Sequence, residues 1–252
     1  NPTWSYMYRN FIRALSPDYR CLAPDHIGSG LSDKPLSYDY HLKTHIDNIL
    51  RWLEHLEIRR FHLLAHDWGG AIGMGVALAN PERLKSIQLM NTAAFVDPDI
   101  PFRIAVCRWP CIGKLLIQGG NAFARGALHM AVQKPLSTTV QKGYLYPYRS
   151  WKDRIGNYEF VQDIPMKPNH PSYRTLADIE KDLPRFCDHP VQLLWGMQDF
   201  CFHEHFLNRW QEIYPQAEVH AFPHAGHYVQ EDEAEASIDY ARVFLRRLAD
   251  LS

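Results

Sequence analysis

The sequence has no apolar run near the ~20 residues that a membrane-spanning helix requires, so it offers no transmembrane segment. Its start carries neither a basic stretch nor an apolar core of the kind a secretory signal uses. Cysteine is scarce, and the five residues Cys21, Cys107, Cys111, Cys187 and Cys201 form no C-x-x-C pair. An odd, scattered set excludes a dense disulfide framework and fits reduced thiols in a cytoplasmic protein. An excess of charge is missing too: 27 Lys and Arg stand against 28 Asp and Glu, for a formal net charge of -1. That balance gives no reason to expect a nucleic-acid partner or an anionic membrane surface. Internal repeats and low-complexity tracts are absent, and the chain opens without Met at Asn1-Pro2-Thr3-Trp4.

What is present is an ordinary globular composition, 46% hydrophobic and 22% charged over 252 residues. A chain of this length buries roughly 70–75% of its unfolded surface and needs no staples. Short apolar runs alternate with longer amphipathic stretches. Residues 19–24, 60–66 and 84–90 read as buried strands, and 41–56 and 71–79 as helices. Strand and helix in this rhythm predict right-handed crossovers and a parallel sheet. From about residue 97 to 187 the rhythm gives way to Pro-rich turns and helical pieces such as 103–106 and 122–131. It resumes with a strand at 191–195, a helix at 203–213, a strand at 217–222 and a helix at 233–248. The reading is an α/β core of residues 1–96 and 188–252 with a helical cap, 97–187, inserted above the ligand-binding edge of the sheet.

The most informative stretch is Leu63-Leu64-Ala65-His66-Asp67-Trp68-Gly69-Gly70. An apolar strand turns sharply into a helix, with small Ala65 and Gly69 two positions either side of Asp67. A nucleophile elbow has that shape, and its tightness calls for small flanking residues. An Asp here could also serve only as a helix cap. Two later features favour chemistry. Asp199 follows the strand ending at Trp195, and His227 follows the next strand within Pro223-His224-Ala225-Gly226-His227-Tyr228. Nucleophile, acid and histidine in that chain order, each just past a strand, is the order of α/β-hydrolases.

With Asn1-Pro2-Thr3-Trp4-Ser5-Tyr6 and Pro24-Asp25-His26-Ile27-Gly28-Ser29-Gly30-Leu31-Ser32, these residues make the chain resemble α/β-hydrolases of the haloalkane dehalogenase group over nearly its whole length. Several stretches are similar to the β-lactone decarboxylases of bacterial olefin synthesis: residues 91–95, 147–151, 160–165 and 195–206. That group opens with His-Gly-Asn-Pro after two or three strands, so the resemblance implies that such strands precede Asn1. It also implies the Trp68 indole and the Asn1 amide as donors to a leaving anion. No cofactor and no metal is implied, and assembly with other enzymes of the olefin pathway is possible by the same resemblance.

An aspartate nucleophile changes the reaction. Attack on an acyl carbon would give an anhydride, whereas displacement at saturated carbon gives an alkyl ester. The substrate is then an sp³ carbon bearing halide, a strained ring oxygen or a lactone's alkyl oxygen. His227, oriented by Asp199, would activate water against the Asp67 ester, and the Trp68 backbone N–H would stabilise the oxyanion. The readings that follow are a cis-β-lactone decarboxylase, a haloalkane dehalogenase, an epoxide hydrolase using paired tyrosines among Tyr144, Tyr146 and Tyr148, or a non-catalytic binding subunit of the same fold. Phe102, Trp109, Phe123, Trp151 and Phe160 of the cap would suit a long alkyl substrate. Gly28-Ser29-Gly30 reads as a plain turn. His203-Glu204-His205 and His224/His227 lack zinc spacing, and Lys134, Lys142, Arg149 and Lys152 read as a solvated basic face.

Overall fold

The computed structural model describes residues 1–109 and 111–249. Residue 110 of the expected cap and residues 250–252 of the expected core fall outside them. Among the described residues the chain forms a four-stranded sheet in the order β1-β2-β3-β4. The strands are β1 Phe61–Asp67, β2 Leu84–Thr92, β3 Val191–Gly196 and β4 Glu218–Phe222, and every neighbouring pair is parallel. Two helices precede β1, α1 Arg9–Leu15 and α2 Leu42–His55, and α3 Trp68–Ala79 joins β1 to β2. Between β2 and β3 lie α4 Phe102–Cys107, α5 Ile112–Lys114, α6 Ala122–Met130, α7 Thr138–Leu145, α8 Ile155–Gln162 and α9 Tyr173–Asp182. Helix α10, Glu204–Ile213, joins β3 to β4, and α11 Val229–Asp232 and α12 Ala234–Ala249 close the chain.

Alternation along the strands sorts the core into two layers. Ala65, Ile87, Leu89, Leu193 and Trp195 pack on one face against α2, α3, α9 and α10. Leu64, Met90, Leu194 and Phe222 point the other way, against Phe11 and Leu15 of α1 and Ile238 and Phe244 of α12. Because α3, α9 and α10 all return over one face, each strand meets the next in parallel, and all four C-terminal ends share one edge.

Residues 19–24 do not form the expected strand. They make no ladder, since the recorded partner of β1 is β2. Extended apolar sequence becomes a strand only when a neighbouring backbone supplies hydrogen bonds. Instead, Tyr19, Leu22 and Ala23 border a cavity of about 570 Å³ that Leu63 and Leu64 of β1 also line. Gly28-Ser29-Gly30 is a turn, with the Ser29 N–H donating to the His26 carbonyl at 2.8 Å and Asp25 accepting from Leu31 at 2.8 Å.

Candidate active site

Asp67 sits where β1 ends and α3 begins, with φ 52 and ψ -128, a left-handed conformation that an L-residue holds only under compulsion. Part of that compulsion comes from Thr92, whose hydroxyl donates to the Asp67 carbonyl across a register shift at the strand ends. The tightest position of the elbow is one that the sequence reading did not name. A Cβ on Gly69 would meet only the Ala65 methyl, at 3.8 Å, whereas a Cβ on Gly70 would fall 1.9 Å from Thr92 Oγ1. The bend is pressed against the end of β2, a neighbour that local sequence does not reveal.

The turn after β3 carries Asp199 and the turn after β4 carries His227. Gly196 lets them meet: a Cβ there would lie 2.1 Å from the Gly226 carbonyl oxygen. Across this approach the Gln198 N–H donates to the Ala225 carbonyl at 2.8 Å. His227 Nδ1 donates to Asp199 Oδ2 at 2.8 Å, and Asp199 Oδ1 accepts the Cys201 N–H at 2.7 Å. His227 Nε2 lies 3.9 Å from Asp67 Oδ2. The three residues picked out from sequence therefore form one constellation, with imidazole between two carboxylates.

Electrostatics set the charge states. Burial pulls the His227 imidazolium down, but the facing Asp199, helped by Asp67, outweighs it and raises His227 above its ordinary value. For Asp67 burial pushes the carboxyl up, while the His227 and His66 rings beside it pull the other way. The main-chain nitrogen of Asn1 donates to Asp67 Oδ2. Asp67 Oδ1 accepts no hydrogen bond among the described residues, which leaves lone pairs on the oxygen free for attack.

Several supporting groups were not legible in sequence. Asn91, buried and at φ 32, accepts from the Gly196 N–H at 2.8 Å and donates to the Gly196 carbonyl at 3.0 Å, clamping the turn that carries Asp199. His66 Nε2 donates to the His227 carbonyl at 2.8 Å, and burial keeps His66 neutral by pushing its pKa far down. Asp232 accepts the Gly226 N–H at 2.8 Å and anchors the other side of the histidine turn. A polar residue directly after a strand was the available signal for Asn91. Nothing local marks Asp232.

Asp67, His227, Trp68 and Asn1 line one cavity of about 270 Å³, walled mainly by apolar side chains including Phe95, Phe123, Val161 and Phe202. The Trp68 indole N–H has no partner among the described residues, while the Asn1 amide nitrogen donates to the Asn157 carbonyl at 3.2 Å. Of the five cap aromatics expected to serve an alkyl chain, Phe123 lines this cavity. Phe160 supports it from behind, 5.4 Å from the Trp68 ring. Phe102, Trp109 and Trp151 instead face solvent. Helix periodicity shows that a residue lies on a face, but packing decides which face turns inward. Tyr144 binds Glu231, Tyr148 lies at 3.3 Å from the Gly30 N–H, and Tyr146 stacks under Arg149, so none of the three lines the cavity. His203 and His205 are each held at 2.8 Å by an aspartate, Asp99 and Asp97.

Beneath Phe160 lies a pH-sensitive element. His45 is fully buried, stacks on Phe160 at 4.5 Å, and has no hydrogen bond on either ring nitrogen; His26 lies 5.5 Å away. Burial lowers His45 to about 3 and His26 to about 4. Both are neutral in the folded state and protonate near 6.5 when unfolded. Their contribution is intact above pH 6.5 and is lost progressively as pH falls towards 3–4. Thermal melts should show stability dropping over that window, and His45→Phe should remove about 2–3 kcal/mol of the drop by about pH 4.5. An unchanged slope would refute it.

A family model described as alpha/beta hydrolase fold matches residues 1–109 and 122–234. The chain belongs to that family. It is 42% identical to the cis-3-alkyl-4-alkyloxetan-2-one decarboxylase of Shewanella oneidensis, over 100% of this chain and 81% of the relative. Haloalkane dehalogenase 2 of Mycobacterium bovis is 29% identical over 92% of this chain and 80% of its own length. The crystal structure of a haloalkane dehalogenase from Bradyrhizobium elkani superposes with a TM-score of 0.89 over 100% of this chain and 89% of that one, at 24% identity, which speaks to the fold. No helix among the described residues is long and apolar enough to cross a membrane.

Proposed function

We propose that the protein opens cis-β-lactones bearing two alkyl groups and releases an alkene and CO₂, with Asp67 as nucleophile. The observation that carries this reading is a carboxylate with an unspent oxygen at the floor of an apolar cavity, in a chain 42% identical to an oxetanone decarboxylase. Asp67 attacks the ring carbon that bears the alkyl oxygen. The C–O bond breaks, and the ring oxygen leaves as a carboxylate. Backside attack leaves that carboxylate anti to the new ester oxygen, so fragmentation follows. The C–CO₂ bond supplies the electrons of the C=C bond, and Asp67 departs as carboxylate. No water is consumed, and inversion followed by anti elimination turns a cis-lactone into a cis-alkene. Trp68, through its indole N–H, and Asn1 are proposed to receive the displaced anion, and the Trp68 backbone N–H any oxyanion on the ester. Residues 97–187 are proposed as the cap that closes over the alkyl chains.

The second reading is haloalkane dehalogenation, favoured by Asp199 and His227 being fully assembled although decarboxylation needs no base. There His227, neutral above its raised pKa, would activate water against the alkyl-Asp67 ester. The paired tyrosines expected for opening an epoxide are not at the cavity, because Tyr144, Tyr146 and Tyr148 all lie off it. Incubation with a cis-3,4-dialkyl-β-lactone and with 1-bromoalkanes separates the readings. Cis-alkene without alcohol supports the decarboxylase. Halide with alcohol, and no alkene from the lactone, overturns it.

A further inference from the structure

The balanced net charge conceals a segregation. Between Ile100 and Lys152 there is no Asp or Glu, yet there are eight Lys and Arg, which leaves nineteen of the 27 cations to face all 28 acidic residues elsewhere. Arg103, Lys114, Arg125, Lys142, Arg149 and Lys152 are exposed, and among the described residues none of these six makes an ion pair; Lys134 of the same stretch pairs with Glu233. A soluble surface ordinarily intersperses both signs.

The same stretch exposes large apolar side chains. Phe102 is 76% exposed, Leu115 66%, Tyr146 54% and Trp109 53%, with Ile112 and Trp151 close behind. Leu115 and the Trp151 ring both flank Gly119, Gln118 donates to the Trp151 carbonyl at 3.2 Å, and Arg149 stacks on Tyr146 at 4.3 Å, so cation and aromatic share one surface. A π-helical turn, Leu115–Gly119, continues α5 and presents Leu115 outward. This layer is also thin: Ile104, Cys107 and Leu116 of the same segment line the Asp67 cavity. The family match resumes only at residue 122 after stopping at 109, so the stretch with Ile112, Lys114 and Leu115 lies between its two matched parts.

We infer that this cap surface docks on an anionic lipid surface, seating Phe102, Trp109 and Leu115 in the headgroup region with the six unpaired cations among lipid phosphates. Exposed Trp, Phe and Leu on a segment that carries Lys and Arg but no Asp or Glu of its own is the chemistry of an interfacial anchor. An acidic protein would account for the cations but not for isolated aromatics standing in water beside them. A second copy of the chain would bring the same cations face to face. Docking in this pose sets the wall of the cavity against the membrane, the phase in which a long dialkyl substrate dissolves. Vesicle binding is read without turnover, so failure of this docking and failure of the proposed chemistry are distinct results.

The test is co-flotation of the whole protein with vesicles of phosphatidylcholine alone and of phosphatidylcholine with about one third phosphatidylglycerol. Binding is expected on the anionic vesicles, at least about tenfold tighter than on the neutral ones, and weakened about tenfold by 0.5 M salt. Trp109→Glu/Leu115→Glu should weaken it about tenfold or more, and Lys114→Glu/Lys142→Glu/Arg149→Glu about a hundredfold. None of these five residues lines the cavity, so turnover of a short, water-soluble substrate should stay unchanged. Absence of binding to either vesicle overturns the inference. So does equal binding to both, or binding that both variants retain. Self-association of the native chain off vesicles, lost in Trp109→Glu/Leu115→Glu, would assign the surface to a second copy instead. Should the variants not fold, the lipid and salt comparisons on the native chain decide.

Discussion

Asp67→Asn is expected to lower turnover of lactone and bromoalkane alike by at least ~10⁴-fold, with the fold intact. An amide oxygen is a poor nucleophile at saturated carbon, and no other group in the cavity stands at the same elbow to replace it. The fold should survive because Asn tolerates positive φ about as well as Asp, and the backbone carbonyl that Thr92 holds is untouched. One further effect follows from the geometry. His227 is raised partly by Asp67, so removing that charge should bring the imidazole pKa down. Product assay, a thermal melt and NMR titration of His227 check the three parts. Retention of even a tenth of the activity would mean that another group attacks.

His227→Gln divides the two reactions. Hydrolysis of an alkyl-aspartyl ester needs water activated by a neutral imidazole, while fragmentation of the lactone-derived ester needs none. With 1-bromoalkanes the variant should release one halide per protein and stop, its mass raised by one alkyl group on Asp67. Loss of steady-state dehalogenation is expected to reach about 10³-fold or more. With cis-β-lactone, alkene should continue to appear, slowed only as far as the lost hydrogen bond to Asp199 disturbs the neighbouring turn. In the native protein the same logic gives pH dependence. Hydrolytic turnover should rise as pH climbs through the raised pKa of His227, because only the neutral ring is a base, whereas alkene release should stay flat over that range. Alkene formation that vanished in His227→Gln would show that the histidine acts in the carbon chemistry itself.

Much of the site could be read along the chain because each chemical group follows its own strand directly. An apolar run that ends at Asp67, or a few residues before Asp199 or His227, places a polar residue at the sheet's C-terminal edge whatever the rest of the molecule does. The helices α2, α3, α10 and α12 were legible for a related reason: their apolar spacing is local. The failures share the opposite cause. Residues 19–24 have strand-like composition, but a strand is a property of two backbones. Ala65 and Gly69 were the small residues expected at the elbow, and the tighter position, Gly70 against Thr92 some twenty residues further along, was not foreseen. Phe102, Trp109 and Trp151 look like lining and stand outside.

By itself the sequence determined which reactive groups exist, their order and the edge on which they emerge. It also determined that an aspartate, and hence chemistry at saturated carbon, occupies the elbow. Only the tertiary structure decided that His227 reaches Asp199 at 2.8 Å and lies 3.9 Å from Asp67. It also decided that Asn91 and Asp232 hold the two turns in register, and that Phe102, Trp109 and Leu115, between β2 and β3, stand exposed. Local spacing sets the direction in which a side chain leaves its own element. What that side chain meets depends on packing against other elements, from 25 positions away for Thr92 on Asp67 to 105 for Asn91 on Gly196.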